Sequence, residues 1–179
     1  MPRCFIGIKV TWPGYEKFRY ELMKKDFIFG KWVENSNLHL TLKFLGEISQ
    51  ENLNILKNAL ENHNLTKFKI NFHSLGCFPN DQNPKVLFIK VKGDFHPIKN
   101  FIENTCFNLN FKKEDKEFIP HLTLVRIKKL KRKNLFLRLL NEYQSKEFFS
   151  MEVKEFHIFE SKLTSYGPIY KILKSYLLK

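Results

Sequence analysis

The tetrapeptide His-Leu-Thr-Leu occurs twice in this chain, at residues 39–42 and 121–124. Side chains alternate between the two faces of a β-strand, so in each copy His and Thr share one face and the two leucines share the other. If the leucines enter the core, each strand presents an imidazole and a hydroxyl to the opposite side, and a slip of one residue would bury that polar pair. Two identical copies favour a paired functional site over chance recurrence of a short pattern.

The residue types at these positions suit the chemistry of a phosphodiester. Two imidazoles that face one groove can serve as general base and general acid, because the histidine pKa lies near neutrality. The hydroxyls of Thr41 and Thr123 can donate hydrogen bonds to an oxyanion between the histidines, and Arg126 adds a permanently charged donor suited to phosphate. We therefore expect a phosphodiester held for in-line attack, with His39 and His121 as the catalytic pair and no metal or other cofactor.

Two large side chains, Phe44 and Arg126, stand five residues after the two motif histidines. Arg126 has the wrong parity to share a face with His121 in a regular strand, and a bulge or strand end at Val125 would redirect it. Otherwise it is a surface arginine that begins a basic loop. Phe44 either stacks a terminal base at the groove edge or fills the core after Leu42.

Other catalytic classes have little support. A catalytic zinc usually takes three protein ligands, and no Cys or carboxylate stands at supporting spacing from either motif. A placed Ser-His-Asp set and the glycine patterns of Walker and Rossmann sites are also missing from the sequence. The remaining histidines lack a Thr two residues on and are assigned no role: His63, His73, His96 and His157.

Composition predicts a packed intracellular protein. The chain has 179 residues, of which 43% are hydrophobic and 19 are Phe, enough for one substantial core, so we expect residues 1–179 to form a single bilobal domain. No stretch approaches the roughly 20 apolar residues of a membrane span, and Arg3 and Lys9 interrupt any signal-peptide core. We expect a soluble, cytoplasmic protein without an obligate protein partner, with Cys4, Cys77 and Cys106 reduced in the core.

The formal net charge of +13 favours an anionic partner, nucleic acid above all. A lysine-rich composition is equally consistent with a biased genome. The densest basic run, residues 128–133, either lies along an RNA backbone or is a solvated loop.

Hydrophobic spacing predicts alternating strands and covering helices. Strands are predicted at 3–10, 32–33, 38–45, 68–72, 86–91, 148–159 and 170–177, and helices at 15–25, 50–62, 97–109 and 135–143, with Ser49 as an N-cap and a loop at 76–84. This pattern gives two successive runs, each with one His-x-Thr strand. It indicates an α+β fold of two pseudo-twofold related lobes, each an antiparallel sheet with covering helices, around a central cleft that carries both motifs.

The chain resembles the two-histidine phosphoesterase superfamily, and within it the RNA 2',3'-cyclic phosphodiesterases, historically called 2'-5' RNA ligases. The resemblance covers nearly the whole chain. Two motifs account for most of the resemblance, His39-Leu-Thr-Leu-Lys-Phe-Leu-Gly46 and Phe118-Ile-Pro-His121-Leu-Thr-Leu-Val-Arg126. Five shorter segments support it: Arg3-Cys-Phe5, Trp32-Val33, Gly76-Cys-Phe-Pro79, Pro84-Lys-Val-Leu87 and Gly167-Pro-Ile-Tyr170.

This resemblance implies hydrolysis of a terminal 2',3'-cyclic phosphate to a 2'-phosphate without a metal, on RNA ends or cyclic nucleotides. It implies that His121 activates water and His39 protonates the departing 3'-oxygen, while Thr41, Thr123 and Arg126 hold the phosphate. Near symmetry makes the two histidine roles exchangeable on sequence grounds. Two alternatives stay open: ligation or cleavage of 2'-5' linked oligonucleotides, and a noncatalytic protein that binds RNA ends.

Overall fold

Nine strands and four α-helices form the part of the chain that the computed structural model describes, residues 1–164 and 167–179. The strands are β1 (Arg3–Lys9), β2 (Ile28–Trp32), β3 (His39–Glu47), β4 (Phe68–Phe78), β5 (Val86–Gly93), β6 (His121–Leu130), β7 (Glu147–Val153), β8 (Glu155–Thr164) and β9 (Gly167–Leu177). The helices are α1 (Tyr15–Lys24), α2 (Gln50–Ala59), α3 (His96–Asn108) and α4 (Lys133–Glu142), and a short 3-10 turn covers Asn35–Asn37. Every element predicted from hydrophobic spacing overlaps an observed one.

The strands form two antiparallel sheets, each of which contains one motif strand. The first sheet has the order β3-β1-β8-β9 and the second has the order β2-β6-β5-β4-β7. The two motif strands, β3 and β6, approach each other across the boundary between the sheets, with Cα atoms within 8 Å. The architecture is therefore α+β, with both His-x-Thr strands brought to one place, as predicted.

The two sheets do not correspond to two consecutive stretches of sequence, although hydrophobic spacing shows two successive runs of strands and helices. Strand β2 comes from the first half of the chain but pairs with β6 in the second sheet, whereas β8 and β9 return from the C-terminal end to the first sheet. Strand pairing depends on contacts between distant segments, which hydrophobic spacing along the chain does not reveal.

Two predicted segments have different bounds in the structure. Residues 148–159 are two strands in different sheets, separated by Lys154 alone, because the chain crosses from one sheet to the other there. The predicted loop at 76–84 begins as strand, since β4 continues to Phe78. In that extension Gly76 makes room for Phe88, as an added Cβ would lie 2.7 Å from its ring.

One continuous apolar cluster joins the helices to both sheets. Ser49 caps α2 as predicted, its Oγ accepting a hydrogen bond from the backbone N–H of Asn52 at 3.2 Å.

Cys4 and Cys106 are buried and Cys77 is half-buried, and all three are free thiols. Burial raises the pKa of the Cys4 thiol to about 11, so it is protonated at neutral pH. No helix in residues 1–164 and 167–179 is long and apolar enough to cross a membrane.

Candidate active site

Both motif strands present their polar pair to the cleft and their leucines to the core. Leu40 and Leu42 are each 1% exposed, and Leu122 and Leu124 are equally inaccessible. His39, Thr41, His121 and Thr123 are half-buried. The alternation predicted from sequence is therefore present in both strands, and burial of four leucines fixes the register that aims the imidazoles and hydroxyls.

Each motif strand carries a β-bulge at the same point, the second leucine of the tetrapeptide. Gly7 and Ile6 pair with Thr41 and Lys43, so Leu42 has no partner on β1. Phe88 and Leu87 pair with Thr123 and Val125, so Leu124 has no partner on β5. Two consecutive side chains then point inward in each strand, and the residue five after the histidine returns to the cleft face.

The second bulge resolves the parity problem of Arg126. Leu124 and Val125 are both buried, while Arg126 is exposed and lies on the face of His121 and Thr123. Its positive charge is close enough to His39, His121 and Tyr170 to interact electrostatically with all three. Arg126 lies within β6 and so does not begin a loop.

Matching backbone hydrogen bonds orient the two imidazoles. His39 Nδ1 lies 2.6 Å from the carbonyl oxygen of Asn37, and His121 Nδ1 lies 2.7 Å from the carbonyl oxygen of Ile119. A carbonyl oxygen can only accept, so Nδ1 carries the proton in both rings and Nε2 is the nitrogen left for chemistry. Both histidines are thus held in the same tautomer by the residue two positions earlier.

Aromatic side chains enclose each histidine. The Phe5 and Tyr170 rings lie 4.9 Å and 4.8 Å from the ring of His39, centroid to centroid. Phe78 and Phe88 enclose His121 at 5.0 Å and 5.2 Å. These apolar walls restrict the imidazole rotamers and exclude water from one side of each ring. The sequence pattern predicts no role for these aromatics, since only the strand pairing brings them to the motifs.

The same surroundings lower the pKa of both histidines. Burial lowers the pKa of His39 to about 4, and the positive charges of Arg126 and His121 act in the same direction. The hydrogen bond that His39 donates to the carbonyl of Asn37 opposes this shift. Burial also lowers the pKa of His121, with Arg126 adding to the effect. Both rings are therefore neutral at pH 7 before an anion enters the cleft.

Phe44 lies on the cleft face and is not a core residue. Its side chain is 63% exposed, with its ring 6.4 Å from that of Phe5, so the core interpretation is wrong. Across the pseudo-twofold relation Phe44 occupies the position that Arg126 has in the other strand. One half of the cleft thus ends in an aromatic ring and the other in a guanidinium.

A network of four charged side chains holds the bulge of β3. Lys99 Nζ donates to the carbonyl of Leu42 at 2.6 Å and pairs with Glu103 and Glu114. Glu114 accepts from the backbone N–H of Phe44 at 3.3 Å. Lys43, which the bulge turns inward, is 1% exposed and pairs with Glu103 at 2.8 Å. The network satisfies backbone groups that the bulge leaves unpaired and so fixes where Phe44 emerges.

The basic run at 128–133 is only in part a loop. It covers the end of β6, a two-residue connection at 131–132 and the start of α4, with Lys131 paired to Asp26 and Lys133 bonded to Gln82. Of the other histidines, His157 is 3% exposed and is bonded to Ser175. Among residues 1–164 and 167–179, no three His, Cys, Asp or Glu side chains cluster in a way that could hold a metal ion.

Solved structures share this fold. The chain aligns with a protein from Thermus thermophilus at a TM-score of 0.76 and 26% identity, covering 98% of this chain and 97% of that one. It also aligns with an Escherichia coli LigT complexed with 3'-AMP at a TM-score of 0.73 and 22% identity, covering 99% and 98% of the two chains.

Sequence comparisons agree over most of the chain. A relative from Archaeoglobus fulgidus, named RNA 2',3'-cyclic phosphodiesterase, is 38% identical over 96% of this chain and 98% of its own length. A relative of the same name from Methanocaldococcus jannaschii is 35% identical, covering 97% and 99%. The model of the LigT-like phosphoesterase family matches residues 16–88 and 90–170. These matches and the paired His-x-Thr strands place the chain in the LigT-like phosphoesterase family.

Proposed function

We propose that this protein is an RNA 2',3'-cyclic phosphodiesterase that hydrolyses a terminal 2',3'-cyclic phosphate to a 2'-phosphate without a metal ion. The observation that carries the proposal is the matched tautomer of His39 and His121, whose Nε2 atoms are free beside a guanidinium on one cleft. The names of the relatives at 35–38% identity support the same substrate.

The mechanism needs one neutral and one protonated imidazole. Neutral His121 takes a proton from a water molecule, whose oxygen attacks phosphorus in line with the bond to the 3'-oxygen. As that bond breaks, protonated His39 gives its proton to the 3'-oxygen, and the phosphate stays on the 2'-oxygen. The hydroxyls of Thr41 and Thr123 and the guanidinium of Arg126 stabilise the charge that develops on the non-bridging oxygens. After the reaction His121 is protonated and His39 is neutral, the reverse of the starting state, so no proton is gained or lost by the pair.

The decisive assay uses protein treated with a chelator and adenosine 2',3'-cyclic phosphate, with the 2'- and 3'-phosphate products resolved. We expect 2'-AMP as the product and an unchanged rate in chelator. A 3'-phosphate product, or activity that returns only with added metal, would contradict the proposal. Tight binding without turnover would instead identify a noncatalytic RNA-end binding protein, and joining of 2'-5' linkages would identify the ligase alternative.

The lowered histidine pKa values predict an unusual pH dependence of kcat/KM. This parameter reports the free enzyme, and the active form of that enzyme has one protonated imidazole. Because the pKa values of both histidines are lowered, this form is lost as the pH rises above them. We therefore expect kcat/KM to peak below pH 6.5 and to fall about tenfold per pH unit above it. In the complex, the anionic phosphate favours the imidazolium, so kcat should peak at higher pH. Profiles from pH 4 to 9 measure both, and a flat kcat/KM between pH 6.5 and 8 would contradict this assignment.

Phe44 is proposed as a stacking surface for the base of the terminal nucleotide. Stacking on an aromatic ring is worth about 1–3 kcal/mol per base, so Phe44→Ala should raise KM at least about fivefold with little change in kcat. Phe107→Ala is the matched control, because Phe107 is also 63% exposed but lies on α3. Equal KM values for the Phe44 variant and the wild type would remove this role.

Domain organisation and cellular location are two further expectations that stay predictions. We propose that residues 1–179 act as one bilobal domain, because a single apolar cluster supports both sheets and both contribute to the cleft. A single cooperative unfolding transition is expected, and two separate transitions would contradict it. The cytoplasmic location predicted from sequence likewise stays a prediction, to be checked by cell fractionation.

A further inference from the structure

A lysine stands beside each motif histidine at the equivalent ladder position. Lys9 is the partner of His39 in the pairing of β1 with β3, and Lys90 is the partner of His121 in the pairing of β5 with β6. Directly paired residues of an antiparallel ladder project from the same face, so both lysines lie on the faces that carry the motifs. Both side chains are exposed.

The surroundings of Lys9 include a cavity that opens next to His39. Its polar lining consists of Lys9, Ser36, Asn37, His39 and Tyr170, with Phe159 among its apolar walls, and no acidic side chain lines it. Asn37 holds this wall in place, because its carbonyl accepts from His39 and its Nδ2 donates to the carbonyl of Pro168 at 2.8 Å. The cavity is therefore tied to the ring whose tautomer the mechanism uses.

Two hydrogen-bond donors in this cavity are unused. In the described part of the chain, the side chains of Lys9 and Ser36 make no hydrogen bond and no ion pair. An ammonium group and a hydroxyl without a neighbouring carboxylate suit a phosphate monoanion. The cavity thus has the donors and the charge to bind a second phosphate in addition to the reacting one.

The direction of bond cleavage in the proposed reaction identifies this second phosphate. The bond to the 3'-oxygen breaks next to His39, and that oxygen stays on the terminal ribose, so the ribose lies on the His39 side of the reacting phosphate. Apart from the cyclic phosphate, the only ionic group on this nucleotide is the 5'-phosphodiester that joins it to the rest of the RNA.

We infer that Lys9 and Ser36 bind this 5'-phosphodiester and make the enzyme selective for RNA oligonucleotide ends over nucleoside 2',3'-cyclic phosphates. The inference rests on the proposed function and on its polarity, with the leaving oxygen at His39.

The test compares two substrates that differ only in this group, adenosine 2',3'-cyclic phosphate and the dinucleotide ApA with a 2',3'-cyclic end. Lys9→Gln should lower kcat/KM for the dinucleotide about five- to tenfold, through KM, and leave the mononucleoside substrate unchanged. Ser36→Ala should act in the same direction with a smaller loss. Lys90→Gln is the matched control, with the same charge change beside the other histidine, and should not discriminate between the substrates.

Salt dependence gives a second readout. Each phosphate contact on a single strand adds about 0.7 to the slope of log affinity against log salt, so Lys9→Gln should flatten the slope for the dinucleotide alone. Equal losses on both substrates, or no loss, would overturn the inference. A selective loss in Lys90→Gln would also overturn it, because the RNA would then leave past His121. If the wild type hydrolyses neither substrate, the proposed function itself fails.

Discussion

Replacing His39 or His121 with alanine should lower kcat/KM for a 2',3'-cyclic nucleotide by about 10²–10⁴-fold, the usual contribution of one positioned proton-transfer group. For His39→Ala we expect turnover to fall to background. The fold should be spared, because each ring lies on the cleft face and its hydrogen bond goes to a carbonyl two residues earlier, in the segment that leads into its strand. Steady-state kinetics and thermal unfolding of both variants measure the two effects.

The control for this experiment is His96→Ala, which removes an exposed imidazole at the start of α3 and should leave kcat/KM unchanged. The double variant is a sharper test. If both histidines serve one proton-transfer step, removing both should cost about as much as removing the more important one, rather than the product of the two losses. Near-normal hydrolysis by either single variant would contradict the proposed acid-base mechanism.

The orientation of the motif residues was predictable because it depends on local alternation. Leucines at every second position bury one face of a strand wherever that strand lies, so the exposure of His39 and Thr41 to the cleft follows from four consecutive residues. Capping of α2 by Ser49 is local in the same sense. Features of this kind need no knowledge of the rest of the chain.

Features that depend on a partner strand were not predictable in this way. The parity of Arg126 indicates a bulge or strand end at Val125, but the positions of the bulges, at Leu124 and Leu42, depend on the register that β5 and β1 set. Neither strand is identifiable as the partner from its own sequence. The aromatic walls around the histidines come from β1, β4, β5 and β9, which are distant from the motifs in sequence. The inward turn of Lys43 follows from the bulge and from Glu103 on α3.

The halves of the cleft differ in the side chains that follow the two matching bulges. The bulges return Phe44 and Arg126 to equivalent positions beside an identical His-x-Thr pair, so the backbone is nearly symmetric and the end groups are not. If the proposed roles hold, a ring that stacks a base on one side and a cation that binds phosphate on the other would give a bound nucleotide one favoured orientation. On that proposal, the identical tetrapeptides carry the acid-base chemistry and the two end groups set the direction of binding.

Arg126→Gln is the second change with a large expected effect. Loss of one charged donor to the developing oxyanion typically costs about 10²–10³-fold in rate, and we expect a loss of this size in kcat/KM. Arg126→Lys should recover only part of it, because an ammonium keeps the charge but lacks the planar, bidentate geometry of guanidinium. Arg138→Gln, the same substitution at an exposed position on α4, is the control.

The pH profile separates a role in the cleft from a structural one. The charge of Arg126 acts together with burial to hold down the pKa of His39 and of His121. Its removal leaves burial in place but weakens the opposition to the imidazolium, so both pKa values rise and the maximum of kcat/KM in Arg126→Gln should move to higher pH. A variant that merely packs badly would lose rate at every pH without moving the maximum. An activity within about threefold of the wild type, or a profile that keeps its position, would place Arg126 outside the reaction, since one lost charged hydrogen bond is worth more than that.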